Sequence, residues 1–256
     1  MSKRGKILDA HTNSHSMPKT QTVIAALNEE EGIGLTIMEI KKIVPNTHIL
    51  VVDGNSNDHT VKVSKELGAD VTFQEGKGKG DALAKAVKIL DPEADYVILT
   101  DADYTYPAKE IPEMINILQK NPEVGMVCGN RFNHHLDKKQ ASHDVFYFGN
   151  QLIALAQNIL NSIELRDPLT GLRVVRACLL RNWKVQSKGF DIEVELNHHI
   201  ERQGFEISEI DIEYRQRLGE KKLKVRHGTE IMKRILIESA QDLINSSLLL
   251  TATRKI

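Results

Sequence analysis

Two aspartates separated by one alanine, Asp101-Ala102-Asp103, carry the clearest chemical meaning in this chain. They come after Tyr96-Val97-Ile98-Leu99, a short apolar run bounded by Asp91-Pro92 and Pro107, which reads as a buried strand ending in a loop. Two hard oxygen ligands at i and i+2 suit a divalent cation that keeps most of its coordination for water and phosphate oxygens. In an open α/β sheet, ligands bind beyond the carboxyl ends of the strands, where this pair would lie. The plain structural alternative has Asp101 capping the next turn and Asp103 solvated.

Other positions carry types that serve a nucleotide or a phosphate. Asp53 ends His48-Ile49-Leu50-Val51-Val52 and opens the turn cluster Gly54 to Thr60. A carboxylate there either closes the turn or accepts hydrogen bonds from a nucleobase or ribose hydroxyl. Gly76-Lys77-Gly78-Lys79-Gly80 comes after the short run Val71-Thr72-Phe73. Its glycines let backbone N–H groups approach a ligand, and its lysines add charge suited to phosphate. The Walker spacing and its Lys-Ser/Thr pair are missing, so it is not a P-loop, and a flexible basic turn is the alternative. Arg131 closes the run Val124 to Gly129 and either neutralises a diphosphate or pairs with a surface carboxylate.

These residues need a scaffold that gathers strand ends. Thr20 to Leu27 predicts a first strand, with Asn28 as N-cap of a helix through about Val44, because Glu29-Glu30-Glu31 favours the helix dipole. Asp58 is expected to cap a helix through Gly68, and further helices are expected through Leu90 and over Ala108 to Lys120. Strand and helix alternating at this spacing predict a mostly parallel sheet with crossover helices. The chain of 256 residues has 41% apolar and 27% charged residues, enough for one α/β domain. Lys+Arg 34 against Asp+Glu 35 leaves a net charge of -1, which offers no case for nucleic acid. Two cysteines make no disulfide framework, and residues 1–18 are polar without an apolar core, so a cytoplasmic protein with a flexible N-terminal tail is expected. No later apolar run is long enough to span a bilayer.

Taken together, Asn28-Glu29-Glu30, Asp53 to Thr60, Lys77 to Gly80, Asp101-Ala102-Asp103 and Gly129-Asn130-Arg131-Phe132 resemble, in order and interval, the family 2 glycosyltransferases with the GT-A fold. Asp167-Pro168-Leu169-Thr170-Gly171-Leu172-Arg173 is similar to that family's Asp-x-x-x-Gly-x-Arg segment. Arg217-Leu218-Gly219-Glu220-Lys221-Lys222-Leu223 is similar to the Arg-x-Gly-Glu-Ser-Lys-Leu segment of the dolichyl-phosphate mannose synthase branch. The resemblance implies a single GT-A domain over 19–235, with a C-terminal amphipathic helix and tail over 236–256. It implies that Asn28, Glu30, Asp53, Lys79, Asp101, Ala102 and Asp103 line the nucleotide-sugar site, with Asp101 and Asp103 holding Mg²⁺ or Mn²⁺. Arg131, Arg217 and Lys222 would face phosphate. Lys221 stands where the branch has serine, and Tyr104-Thr105-Tyr106 replaces Leu-Gln-His, as in archaeal-type dolichyl-phosphate hexose transferases, which leaves the hexose open.

The acceptor implied is a polyprenyl or dolichyl phosphate, and the donor a UDP- or GDP-hexose. A phosphate monoester is already an anionic nucleophile at neutral pH, with a second pKa of about 6, whereas a hydroxyl acceptor needs a general base. Glu193 and Asp191 are the candidates for that base in the alternative, a soluble transferase acting on a hydroxyl, and their segment reads as a strand or a helix start. A non-catalytic nucleotide-sugar-binding protein is a second alternative. Val145 to Leu160 reads as an apolar helix for the core or for a membrane interface. The basic run Arg215, Arg217, Lys221, Lys222, Lys224 and Arg226 suits a solvated face or an anionic lipid. With the amphipathic pattern from Glu230 to Leu250, this makes peripheral contact with the cytoplasmic face of a membrane the expectation. The two Asn-His-His runs, at 133–135 and 197–199, have no third ligand to suggest zinc.

Overall fold

The computed structural model describes residues 17–132, 153–158, 160, 164–224 and 227–253, with side chains through residue 244. The expected readings at 133–135, 145–152 and Arg226, and nearly all of the tail expected over 1–18, lie outside these residues. Strands rich in Val and Ile form the middle of the fold: β1 (Thr20–Ala26), β2 (Thr47–Asp53), β3 (Asp70–Phe73), β4 (Tyr96–Asp101) and β5 (Val124–Asn130). Two more strands, β6 (Arg173–Arg176) and β7 (Glu206–Asp211), complete a sheet of order β3-β2-β1-β4-β6-β5-β7. All neighbours are parallel except β6, which runs antiparallel to both β4 and β5.

Alternation along each strand divides the core between two faces, as a pleated strand buried on both sides requires. Ile24, Val51 and Ile98 point to one face, under helices α1 (Ile33–Ile43), α2 (Thr60–Glu66) and α4 (Ile111–Lys120). Val23, Leu50 and Val97 point to the other, under α3 (Lys79–Lys88), α5 (Ala177–Leu180) and α6 (Ile192–Arg202). The last helix, α7 (His227–Thr253), packs on α6 through Ile231 and Ile235 against Val194. Glu238, one turn further on, is buried, so the boundary expected at residue 235 falls inside one continuous helix that is still packed beyond that point.

Three local expectations change. Asn28 is no helix cap: it adopts φ 50°, its side chain accepts the Asn57 N–H at 2.9 Å, and α1 begins only after Gly32. The Asp191–Glu195 segment resolves as the start of helix α6. β6 and β7 were not expected as strands; Arg173–Arg176 is short and charged at both ends, and Ile207 and Ile210 stand three residues apart rather than two. Among the described residues, no helix is long and apolar enough to cross a membrane.

Candidate active site

Strand register sets the site. Ala26 lies opposite Asp53 and Ala25 opposite Asp101, so the parallel half of the sheet delivers Asn28, Asp53 and Asp101 to one edge. β6 enters from that same edge, with Arg173 beside Leu99, which places the loop 167–172 against the end of β4. β5 and β7 finish together at Asn130 and Asp211, and the Asn130 amide donates to Asp211 at 2.7 Å. From there the chain runs back across the edge as a strap. Arg215 N–H donates to Thr105 O at 3.0 Å, Leu218 N–H donates to Asp103 O at 3.2 Å, and Lys222 Nζ reaches Asn28 O at 2.7 Å.

The two aspartates are held differently. Asp101 accepts from Lys79 Nζ at 2.7 Å, and that ammonium also pairs with Glu193 at 2.6 Å. Burial works to raise the Asp101 pKa, but Lys79, Arg131 and Arg217 outweigh it and hold the carboxyl below the usual range. Asp103 accepts the Thr105 N–H at 3.1 Å and the Thr105 hydroxyl at 2.6 Å, and pairs with Arg217. Burial and the neighbouring Asp101 push its carboxyl up. Arg217 also pairs with Glu29, and Lys222 reaches Glu29 at 3.2 Å. Burial nevertheless raises the Glu29 carboxyl against those two cations, and its Oε2 is buried without a partner.

Glycine is required at two contacts here. A Cβ on Gly32 would stand 2.7 Å from Ala102 O and 2.8 Å from Asp103 Cα, so the start of α1 presses directly on the backbone between the two aspartates. A Cβ on Gly171 would lie 2.5 Å from Asp101 Oδ2. That side of the carboxylate is kept clear, while Tyr106 OH holds the Gly171 N–H at 2.7 Å. The Asp101–Asp103 pair is a set of hard oxygen donors whose chemistry fits Mg²⁺ or Mn²⁺, and among the described residues no group of three or more His, Cys, Asp or Glu is placed to hold a metal ion. Such ions fill their remaining positions with water and phosphate oxygens.

The remaining expected residues fall into two groups. Asn28 and Glu30 line a cleft of about 210 Å³ with Glu29, Asp58, Gly219 and Lys222. Hydrogen bonds from the His59 backbone and ring hold Glu30 below the usual carboxylate range. Asp53 is fully buried and both its oxygens are taken by Ser56, at 2.8 Å from N–H and 2.6 Å from Oγ, so here it closes its own turn. Arg131 makes a two-pronged pair with the buried Asp167 at 2.6 and 2.8 Å and lies over the rings of Phe132 and Tyr214. The glycine loop at 76–80 is docked rather than open: Gly80 N–H donates to Lys188 O at 3.0 Å, which aims Lys79 inward. Ala102 contributes backbone only, with its carbonyl accepting from Thr36 Oγ1.

In the sequence Glu29 had a place only at a helix start and in a motif, and Asp167 only in a family segment, with no site role for either, nor for Thr105 or Tyr214. Glu29 had a signal, an acid directly after a strand. Asp167 had one as well, as the first acid of a seven-residue segment ending in Arg173. Tyr214 had none, because only the return of the strap brings it over Tyr106, at 5.4 Å between ring centroids.

Comparison with known proteins agrees with this layout. The sequence pattern described as glycosyl transferase family 2 matches residues 22–177. Over 204 residues the chain is 31% identical to a dolichyl-phosphate hexose transferase of Haloferax volcanii, covering 78% of this chain and 85% of that one. It is 26% identical over 220 residues to an undecaprenyl-phosphate mannosyltransferase of Micrococcus luteus, covering 79% and 86%. A solved glucosyl-3-phosphoglycerate synthase of Mycobacterium tuberculosis, in complex with Mn²⁺, UDP and its product, superposes with a TM-score of 0.69. The identity there is 20%, over 87% of this chain and 80% of that one, which shows a shared GT-A fold.

Proposed function

The chain belongs to glycosyl transferase family 2, and on that premise we propose that it is a metal-dependent, inverting hexosyltransferase. It moves a hexose from a UDP- or GDP-linked donor to a polyprenyl phosphate of the dolichyl type. The observation that carries this reading is the Asp101–Asp103 pair at the C-terminal edge of β4, with Gly171 clearing one side of Asp101 and Arg217 and Lys79 as its cations. The names of the Haloferax and Micrococcus relatives support the acceptor class, and the Mn²⁺ and UDP of the solved synthase support the donor and metal classes.

Asp101 and Asp103 hold the cation, which, when bound, offsets charge developing on the departing nucleoside diphosphate. Arg217 exchanges its contact with Asp103 for a phosphate oxygen, and Lys222 stands beside it on the same strap. Arg131, anchored by Asp167 and lying over the Tyr214 ring, contributes its charge. Glu30 and Asn28 in their cleft, with the Asp53 loop beside them, hold the nucleoside end. An oxygen of the acceptor phosphate attacks the anomeric carbon as the bond to the diphosphate breaks, and no proton has to move. The reading therefore needs no general base. Glu193, committed to Lys79, and Asp191, committed to Arg234 at 3.0 Å and to Gly189 N–H, are both engaged elsewhere.

The transferase unit of this reading runs from residue 19 into α7. On that helix Leu236, Leu243 and Ile244 are exposed, and they offer a peripheral contact to the cytoplasmic face of the membrane that carries the acceptor. A panel of radiolabelled UDP- and GDP-sugars with Mn²⁺ and a short polyprenyl phosphate in detergent tests the assignment. The label is expected in the organic phase, and chelation should abolish it. Donor consumed while all label stays aqueous would sink the lipid-phosphate acceptor.

A further inference from the structure

The Lys79 ammonium lies between two carboxylates, 2.7 Å from Asp101 and 2.6 Å from Glu193. Glu193 is buried at 6% exposure and comes from the first turn of α6. Beside them is a cavity of about 30 Å³ lined by Thr100, Leu99, Ile192 and Leu196 among others. A space of that size holds roughly one or two waters.

We propose that Glu193 is a positioning residue: it shares the charge of Lys79, so that Asp101 is oriented by the ammonium yet keeps enough negative charge to ligate a divalent cation. The inference rests on the reading of Asp101 as a metal ligand. A lysine paired with Asp101 alone would compete with the cation for the same oxygens, and a second carboxylate on that lysine weakens the competition. The docked glycine loop belongs to the same device. Gly78 and Gly80 lie so close to Lys188 O and Ser187 O, at 2.4 and 2.3 Å from a built Cβ, that Lys79 is fixed in place by backbone contact.

Charge sharing fixes the sign of three changes. Glu193→Gln hands the whole ammonium to Asp101, and Mn²⁺ affinity should fall about tenfold. Lys79→Met removes the competitor and leaves two carboxylates together, so Mn²⁺ should bind more tightly, by about threefold or more. The double variant restores the balance and should return to within about threefold of the wild type. The measurement is binding of Mn²⁺ alone, tracked by the paramagnetic signal of the free ion, on proteins whose thermal melts show them folded. Glu193→Gln keeps Lys79 paired, so it and the double variant decide the matter even if Lys79→Met does not fold.

Unchanged affinity in Glu193→Gln, with the wild type binding normally, overturns the inference and leaves the proposed transferase standing. That result joined to a collapse of turnover would make Glu193 a base instead. Absence of Mn²⁺ binding by the wild type overturns the metal reading itself, and the inference with it.

Discussion

Two clusters of opposite charges lie within this molecule, and they are built on different terms. At the strand edge Glu29, Asp101, Asp103 and Glu193 face Lys79, Arg217 and Lys222. At the seam between α6 and α7, Asp191, Glu195, Glu238 and Asp242 face Arg202 and Arg234. Acids of the seam are also tied to backbone: Glu195 accepts the N–H groups of Gln186 and Ser187, and Asp191 accepts the Gly189 N–H at 3.1 Å, while the Glu238 carbonyl holds Arg202 at 2.9 Å. At the edge, Glu29 keeps one oxygen partnerless, and the cations that hold Asp101 are side chains on long arms. A lysine or arginine arm can give up a carboxylate to a cation or phosphate, whereas a backbone amide in a packed turn cannot. The edge is arranged for exchange of partners and the seam for permanence.

Mutations should separate the two. Asp103→Asn is expected to lower transfer by about a thousandfold, on the order of 4 kcal/mol, through loss of a ligand to the charge-stabilising cation. Its melting point should hardly move, since burial and Asp101 already disfavour the charge on Asp103. A melting point that falls in step with activity would make the edge as structural as the seam. Arg234→Leu should do the reverse. It removes the cation shared by three partly or fully buried acids and should cost about 3 kcal/mol of stability, with turnover per folded molecule within about twofold of normal. Denaturant unfolding beside a transfer assay checks both halves of that statement.

The pH dependence of the seam has a definite sign. His198 is fully buried, with Asp242 at 3.3 Å, and burial pushes its pKa down to about 4 against the pull of Asp242. The unfolded chain therefore binds a proton that the folded chain refuses. The contribution of His198 is complete above pH of about 6.5 and is lost as pH falls toward 4, on the order of 3 kcal/mol in all. Urea melts at pH 7 and pH 4.5 should show that loss, and His198→Leu should flatten it. A wild type and variant with parallel pH slopes would refute the assignment. The smallest expected effect is Tyr106→Phe, which removes the acceptor of the Gly171 N–H and should lower stability by about 1 kcal/mol.

Much of the edge was legible because its residues come directly after strands. Asp53, Asp101 and Arg131 each end an apolar run, and a parallel sheet turns that local fact into a shared location. What could not be read was who pairs with whom. Lys79 looked like a phosphate ligand in a glycine loop, yet the loop docks on 187–189 and spends the lysine on two acids. Arg131 was expected to meet either a diphosphate or a surface carboxylate, and its partner Asp167 is a buried one that arrives with the loop before β6. That strand had no signal of its own: four residues with arginine at both ends are held by β4 and β5 rather than by propensity. The α6–α7 seam was also silent, since a charged helix face predicts a solvated surface until a second helix covers it.

The reversed strand also orders events in time. β4 and β5 do not touch as partners; β6 stands between them, and Arg173 is made long after Asn130. A chain emerging from the ribosome thus holds Asp101 and Asp103 at the end of a four-stranded half-sheet whose β4 margin stays open until residue 176 has been synthesised. Nascent chains halted at residue 165 should be cut readily by protease between β4 and β5. Chains halted beyond the strap and α7 should resist as the finished protein does.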